Sequence, residues 1–228
     1  MTKAVADHIA IVGKSTAQQV ADGLTSMIIE GAISPGERIS EAGIARSLGL
    51  SRNTVREAVR LLQGSGLVRY NFNRGMEVWD PTDDDVVDVF KARLYLERLA
   101  AQSLTAESDL APMRDAHRRY VQALETHDLR TIVDCDLAIH QAAVGILGSA
   151  RIDQFYAALL NELRYFLLVL SYDRNEYLDN EGVAHEHQEM VEAFESRDPA
   201  RAIQVVTAIL EENRDLARGI TAQRKKTD

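Results

Sequence analysis

The stretch Pro35–Gly75, PGERISEAGIARSLGLSRNTVREAVRLLQGSGLVRYNFNRG, constrains this chain more than any other, because glycines and capping residues cut it into pieces too short to fold alone. Pro35-Gly36 ends a preceding helix. Ser40 or Glu41 opens the next, whose apolar positions Ile44, Ala45 and Leu48 fall at helical spacing. Gly49 closes that helix, and the Ser51 hydroxyl is placed to cap the one that follows. In this second helix Val55, Ala58, Val59 and Leu62 share one face, while Arg52, Asn53, Arg56 and Arg60 share the other. Gly64-Ser65-Gly66 stops it. Val68 to Asn71 and Met76 to Trp79 then read as two strands joined at Asn73-Arg74-Gly75. The order is that of a winged helix-turn-helix.

Charge selects a partner for that unit. From Ala45 to Gly75 there are six arginines and one acid, Glu57. Guanidinium groups near the N-terminal end of the second helix of such a pair reach base edges and phosphates in a major groove. Arg74 and Gly75, at the turn, are placed to touch the backbone or the minor groove. The net charge of −9 argues against nucleic acid until its distribution is considered. Residues 1–80 carry 9 basic and 8 acidic side chains, and residues 81–228 carry 17 and 27. An acidic domain held off DNA and a locally basic helix on it would give this split.

The same residues resemble the DNA-binding domain of GntR-family bacterial transcription regulators. The family signature is matched by Pro35-Gly36, Ile44-Ala45, Gly49-Leu50-Ser51-Arg52, Val55-Arg56-Glu57-Ala58 and Gly66-Leu67. The resemblance implies that Arg52 and Arg56 are the principal DNA contacts, with Asn53 and Thr54 beside them and Arg74-Gly75 helping from the wing. Gly43 departs from the family, which has a helix former there.

A helix from Ser15 or Thr16 to about Gly31, with Val20, Leu24, Met27 and Ile28 as its inner stripe, should pack beneath the pair. The first dozen residues read as a loose arm. Asp80-Pro81-Thr82 is the expected linker, dividing a DNA-binding domain at 1–80 from a second domain at 81–228. Beyond it the pattern is helical throughout: Asp83–Leu104, Asp109–Thr126, Asp128–Leu147, Arg151–Ser171, Val183–Ser196 and Asp198 to about Gly219. The fourth of these is apolar around much of its circumference (Ile152, Phe155, Leu159, Leu163, Phe166, Leu167, Leu170) and is expected at the centre of a bundle. Residues 172–182 read as a polar loop, and Arg224-Lys225-Lys226 as a disordered tail. The fold class is thus mainly α, a winged helix-turn-helix followed by an all-helical bundle of about six helices. No apolar run approaches a membrane span. No secretory signal is evident, and a lone Cys135 fits a reducing cytoplasm.

Several polar side chains fall on apolar stripes. Arg93 lies among Val89, Phe90 and Leu96 and needs an anion if buried. Glu97, one turn on, offers an internal ion pair; a bound carboxylate, matched by the guanidinium fork, is the other solution. Asp136 and His140 stand side by side among Ile132, Val133, Ile139, Ala143 and Val144, and His187 lies in another apolar stripe. These three could ligate a divalent cation, or Asp136 could simply orient His140 in the core. His185 points off the stripe, and His8, His117 and His127 read as surface residues. HEHQE at 185–189 is not a HExxH motif, and neither a phosphate-binding glycine loop nor a nucleophile elbow occurs, so a metal-dependent hydrolase is the weaker alternative.

The second domain resembles the FCD effector domain of the FadR-like subgroup of GntR regulators, through Arg93 with Glu97, Asp136-x-x-x-His140, and His187 followed by Met190, Ala193 and Phe194. That resemblance implies an effector site of Arg93, Asp136, His140 and His187, and a zinc- or nickel-type ion on Asp136, His140 and His187. The family's fourth ligand is a histidine in the last helix. Ile209 stands at that position, which leaves Asn213, water or a bound carboxylate to complete the shell. The expectation is a cytoplasmic homodimeric repressor, binding an inverted-repeat operator and responding to a small organic acid. An alternative makes the metal itself the signal.

Overall fold

A computed structural model describes residues 13–72, 74–170 and 181–224. The N-terminal arm up to residue 12, most of the 172–182 loop and the Lys225-Lys226 tail lie outside the described residues. The chain divides into two compact units, Met1–Trp79 and Asp80–Asp228.

In the first unit, α1 (Thr16–Ile29), α2 (Glu41–Leu48) and α3 (Arg52–Gly64) precede an antiparallel hairpin of β1 (Val68–Asn71) and β2 (Gly75–Val78). Each helix begins at a serine. Ser15, Ser40 and Ser51 accept from the backbone N–H three residues on, replacing a partner that the first turn lacks. Gly49 ends α2 with φ 67°, a left-handed conformation that lets its N–H reach Ala45 O. Both α1 and α2 pack on α3. The hairpin is extended by the chain before α2: Ile39 N donates to Met76 O and Val78 N to Glu37 O, both at 2.8 Å.

Two apolar stripes differ from expectation here. In α1 the buried residues are Ala17, Ala21, Leu24 and Ile28, while Val20 is half-buried and Met27 is 44% exposed. In α2 only Ala45 is buried, and Leu48 is 53% exposed. Helix periodicity chooses a direction, but small residues permit close approach, so Ala17, Ala21 and Ala45 join Leu24 and Ile28 on the buried faces while Met27 and Leu48 fall outside them. The second strand begins at Gly75 and ends at Val78, one residue earlier at each end than the sequence suggests.

The second unit contains six helices among the described residues: α4 (Asp83–Gln102), α5 (Ala111–Leu124), α6 (Leu129–Gly145), α7 (Ala150–Tyr165), α8 (Glu181–Glu195) and α9 (Pro199–Arg224). Thr82 opens α4 with a capping box. Its hydroxyl accepts from Asp85 N while the Asp85 carboxylate accepts from Thr82 N. Asp128 caps α6, and Asp198 caps α9 with Pro199 at its first position. The last helix continues past Gly219 to Arg224.

Helix α9 packs along α4, and α5 along α6; α7 lies against α6 and α4, and α8 against α9 and α5. The long apolar segment is not a central, all-round buried helix. Its α-helical part ends at Tyr165 and passes into a π-helical turn, Phe166–Leu170. Tyr156, Leu160 and Leu163 face inward, whereas Phe155 is 60% exposed. The core centre is shared instead by α4 and α6, whose inner faces carry the polar groups that matter next.

Candidate functional site

The first candidate surface is the outer face of α3. Val55, Ala58, Val59 and Leu62 are buried against α1 and α2, which turns Arg52, Asn53, Arg56 and Arg60 to solvent. Thr54 is half-buried, and its hydroxyl lies 2.9 Å from that of Ser51, so it is engaged in the cap. Arg56 Nε donates to Glu41 Oε2 at 3.3 Å, a pairing across the helix turn that sequence spacing does not reveal.

At the wing, Arg74 is exposed and Gly75 adopts φ 82°, a conformation unfavourable to any residue with a side chain. The Arg38 guanidinium lies 3.9 Å from where a Cβ on Gly75 would stand, so Arg38 adds positive charge to the wing tip. Nothing in its local sequence marked Arg38, because only the pairing of its backbone with Glu77 brings it there. Arg69 is drawn away from this set: its guanidinium sits 3.8 Å above the Trp79 ring. Gly43 also acquires a reason. Its N–H donates to Ser40 Oγ, and a Cβ at this position would stand 3.1 Å from that oxygen.

The second candidate is buried in the helical unit. The buried charged and polar residues among those described are Arg93, Glu97, Asp136, His140 and His187, all within the second unit. Arg93 and Glu97 lie on α4, Asp136 and His140 on α6, and His187 on α8. Helical spacing puts each pair on one inward face, and the packing of α4 on α6 joins the two pairs.

The contacts form a chain. Arg93 Nε donates to Glu97 Oε1 at 3.1 Å, and the Tyr156 hydroxyl donates to the same oxygen at 2.5 Å. Glu97 Oε2 meets His140 Nδ1 at 2.7 Å. On its other side, His140 Nε2 lies 3.5 Å from Asp136 Oδ1, and His187 Nε2 lies 2.9 Å from that same oxygen. The Tyr120 and His187 rings stand 4.7 Å apart. Neither tyrosine was singled out by sequence, because both reach the cluster from helices whose register only packing fixes.

Burial opposes the charge of Glu97, but the attraction of His140 in its protonated form, the positive field of Arg93 and the hydrogen bonds from His140 and Tyr156 outweigh it. The carboxyl is held down from 4.5 to about 2. Burial likewise works against the Arg93 charge, and Glu97 beside it more than compensates, raising its pKa. The Tyr156 phenol is pushed well up, by burial first and by Glu97 second. Half-buried Glu186, whose carboxylate accepts from Asn213 Nδ2 at 3.4 Å, is raised by burial, with nearby Glu212 and Asp136 adding to the shift.

Of the two solutions for a buried Arg93, the internal ion pair with Glu97 is present. The Tyr156 hydroxyl also interacts with the guanidinium, yet Nη2 is buried with no hydrogen-bond partner among the described residues. A buried guanidinium donor left unpaired is costly, and a carboxylate would satisfy it.

The cation expectation can be tested on the donor set. One ligand atom from each of Asp136, His140 and His187 lies within 4.8 Å of the other two. Adjacent ligands on a metal with bonds of about 2.0–2.2 Å stand roughly 3 to 3.5 Å apart. The separations of 2.9 and 3.5 Å about Asp136 Oδ1 are close to that spacing, and an oxygen with two imidazole nitrogens suits a borderline divalent ion of the zinc or nickel type. Ile209, buried in α9, contributes no donor, and Asn213 pairs with Glu186. His185 is 73% exposed at its side chain, His127 is exposed and His117 half-buried, while His8 lies outside the described residues.

Comparison with known proteins gives concordant matches over both units. Residues 88–212 match the FCD domain, and residues 16–78 match the bacterial regulatory proteins of the gntR family. The HTH-type transcriptional regulator YdhC of Bacillus subtilis (strain 168), itself uncharacterised, is 28% identical over 190 residues, covering 81% of this chain and 83% of YdhC. The gluconate operon transcriptional repressor of the same organism is 24% identical over 196 residues, covering 83% and 80%. Among solved structures, one described as a GntR transcriptional regulator from Rhodococcus sp. RHA1 is 28% identical with a TM-score of 0.76, covering 90% of this chain and 99% of that one. E. coli McbR/YncC shares the fold, with a TM-score of 0.66 at 19% identity over 90% and 98% of the two chains.

Proposed function

Because the chain belongs to the GntR family of bacterial transcription regulators, with an FCD domain, we propose that it is a FadR-like repressor controlled by a small organic acid. Operator DNA is read by Arg52, Asn53, Thr54 and Arg56 in the major groove, with Arg74 and Gly75 at the wing. Repression is favoured by two relatives, named as the gluconate operon repressor of B. subtilis and a probable D-xylose utilization operon repressor of Paenarthrobacter nicotinovorans.

The observation that carries the acid-sensing reading is the Arg93 Nη2, buried without a hydrogen-bond partner among the described residues, in the same cluster as the Asp136–His140–His187 set. Asp136, His140 and His187 would hold a divalent cation, which when bound supplies positive charge and open coordination positions for a carboxylate. The charges explain why the two ligands belong together. With both histidines neutral, the buried cluster holds one positive and two negative side chains. An incoming carboxylate meets net repulsion in a low-dielectric interior unless a cation reverses the sign. Three protein ligands, with Ile209 in place of a fourth, leave more of the shell for the acid.

A homodimer accords with an inverted-repeat operator, since one recognition helix covers only a half-site. Tyr95 and Leu99 on α4 and Phe155 on α7 are 63%, 44% and 60% exposed, and a second copy would cover them. The acid then shifts a population between forms of different operator affinity, a coupling of about 1–3 kcal/mol. A second reading, with the cation as the signal, is favoured by the ion pair that already engages Arg93 Nε.

The test is thermal melting of the purified protein against a panel of small carboxylates, before and after chelation. An acid that raises the midpoint only before chelation supports the cation-assisted site. A shift that survives chelation assigns the acid to Arg93 alone. If no acid acts and chelation lowers the midpoint, the cation reading replaces the acid-sensing one.

A further inference from the structure

Glu97 lies outside the three-ligand set, yet both of its oxygens are engaged with groups that define the site. It is wholly buried on α4, with Oε1 shared by Arg93 Nε and the Tyr156 hydroxyl and Oε2 against His140 Nδ1. An ionised carboxylate only accepts, so the hydrogen of a neutral His140 ring must sit on Nδ1, and its lone pair on Nε2. Nε2 is the atom that faces Asp136 Oδ1.

We propose that Glu97 is the positioning residue of this site. It fixes His140 in the tautomer that offers Nε2 to a cation, and by holding Arg93 Nε it fixes the guanidinium whose Nη2, without a hydrogen-bond partner among the described residues, would meet an anion. One carboxylate thus orients both the cation ligand and the anion clamp. The inference rests on the cation and carboxylate reading given above, and it adds a linkage between the two halves of the site. Neither α4 nor α6 could supply that linkage alone. A carboxylate on the far nitrogen also raises the basicity of a ligating histidine.

An amide cannot perform this task. Glutamine has the same shape but only one accepting atom. If that oxygen faces His140, the NH2 group is turned on two donors, Arg93 Nε and the Tyr156 hydroxyl. If it faces Arg93 and Tyr156, the NH2 group is turned on His140 Nδ1, which must then carry the lone pair. The His140 proton moves to Nε2 and closes that atom to a cation.

The experiment is long-range proton–nitrogen correlation on the chelated full chain, labelled with 15N-histidine, at mildly alkaline pH, with His140 assigned through a His140→Gln variant. The expected result is a wild-type ring protonated at Nδ1 and bare at Nε2. Glu97→Gln should move His140 to the opposite tautomer and weaken nickel binding, measured by calorimetry, about 10- to 100-fold. A wild-type ring protonated at Nε2, or at both nitrogens, overturns the proposal without need of any variant. So does a folded Glu97→Gln chain that binds nickel as tightly as wild type. Wild-type protein with the expected tautomer that binds no nickel defeats the cation reading and leaves the tautomer assignment supported, so the two failures are distinguishable.

Discussion

Arg93 and Glu97 are four residues apart on a helix, and that spacing alone made their ion pair legible in the sequence. The other donors to Glu97 were not legible. Tyr156 lies 59 residues away and His140 lies 43 residues away, on helices whose rotation is set by packing rather than by local pattern. The energetic role of Glu97 can be read from acid stability. Its carboxyl is held at about 2 in the folded chain, below its ordinary 4.5, so the native state favours the ionised form. That stabilisation is complete above the ordinary value and is lost as pH falls through the depressed one. Glu97→Gln should cost roughly 3–5 kcal/mol at neutral pH, as expected when one partner of a buried ion pair is removed. In urea titrations across pH, the gap between wild type and variant should hold steady down to about 4.5 and narrow toward about 2. A gap unchanged at the acid end would show that Glu97 acts by shape and not by charge.

At the level of elements, the sequence announced the caps more reliably than the faces. Ser40, Gly49 and Ser51 act through the backbone next to them, so a local reading suffices. Apolar stripes depend on a distant partner, and it was there that Met27, Leu48 and Phe155 were misplaced. Helix α3, which carries the proposed DNA contacts, depends directly on its cap. Ser51→Ala removes the acceptor for Thr54 N and the hydroxyl beside Thr54 Oγ1. The expected loss is about 1 kcal/mol of stability in chemical denaturation. Arg52→Ala and Arg56→Ala, by contrast, leave the buried face of α3 intact. Each should weaken operator binding by about 1–3 kcal/mol in a gel-shift titration with the helical circular dichroism signal retained. Wild-type operator affinity in both variants would remove α3 from the interface.

For the whole molecule, composition was misleading and its distribution was not. A chain of net charge −9 holds a DNA reader because the acids collect in residues 81–228. No helix among the described residues is long and apolar enough to cross a membrane. If a second copy covers Tyr95 and Phe155, then Phe155→Glu should convert the dimer to monomer in sedimentation, and operator affinity should fall with it. A dimer unperturbed by that charge would place the interface elsewhere. The pairing of Arg56 with Glu41 has a consequence for ion accounting. A guanidinium already neutralised within the protein exchanges one anionic partner for another on meeting a phosphate, and Glu41 is left to recruit a cation of its own. Fewer ions are then released to solution than the exposed arginines would imply, and operator affinity falls less steeply with salt. Because an exposed pair of this kind contributes only about 0.2–1 kcal/mol, Glu41→Gln should change stability little. It should tighten binding to random-sequence DNA and increase its salt dependence. If Arg56 contacts DNA as proposed, Glu41 would serve as a resident substitute for the phosphate, making Arg56 less adhesive to DNA in general than to a site that also offers it base contacts.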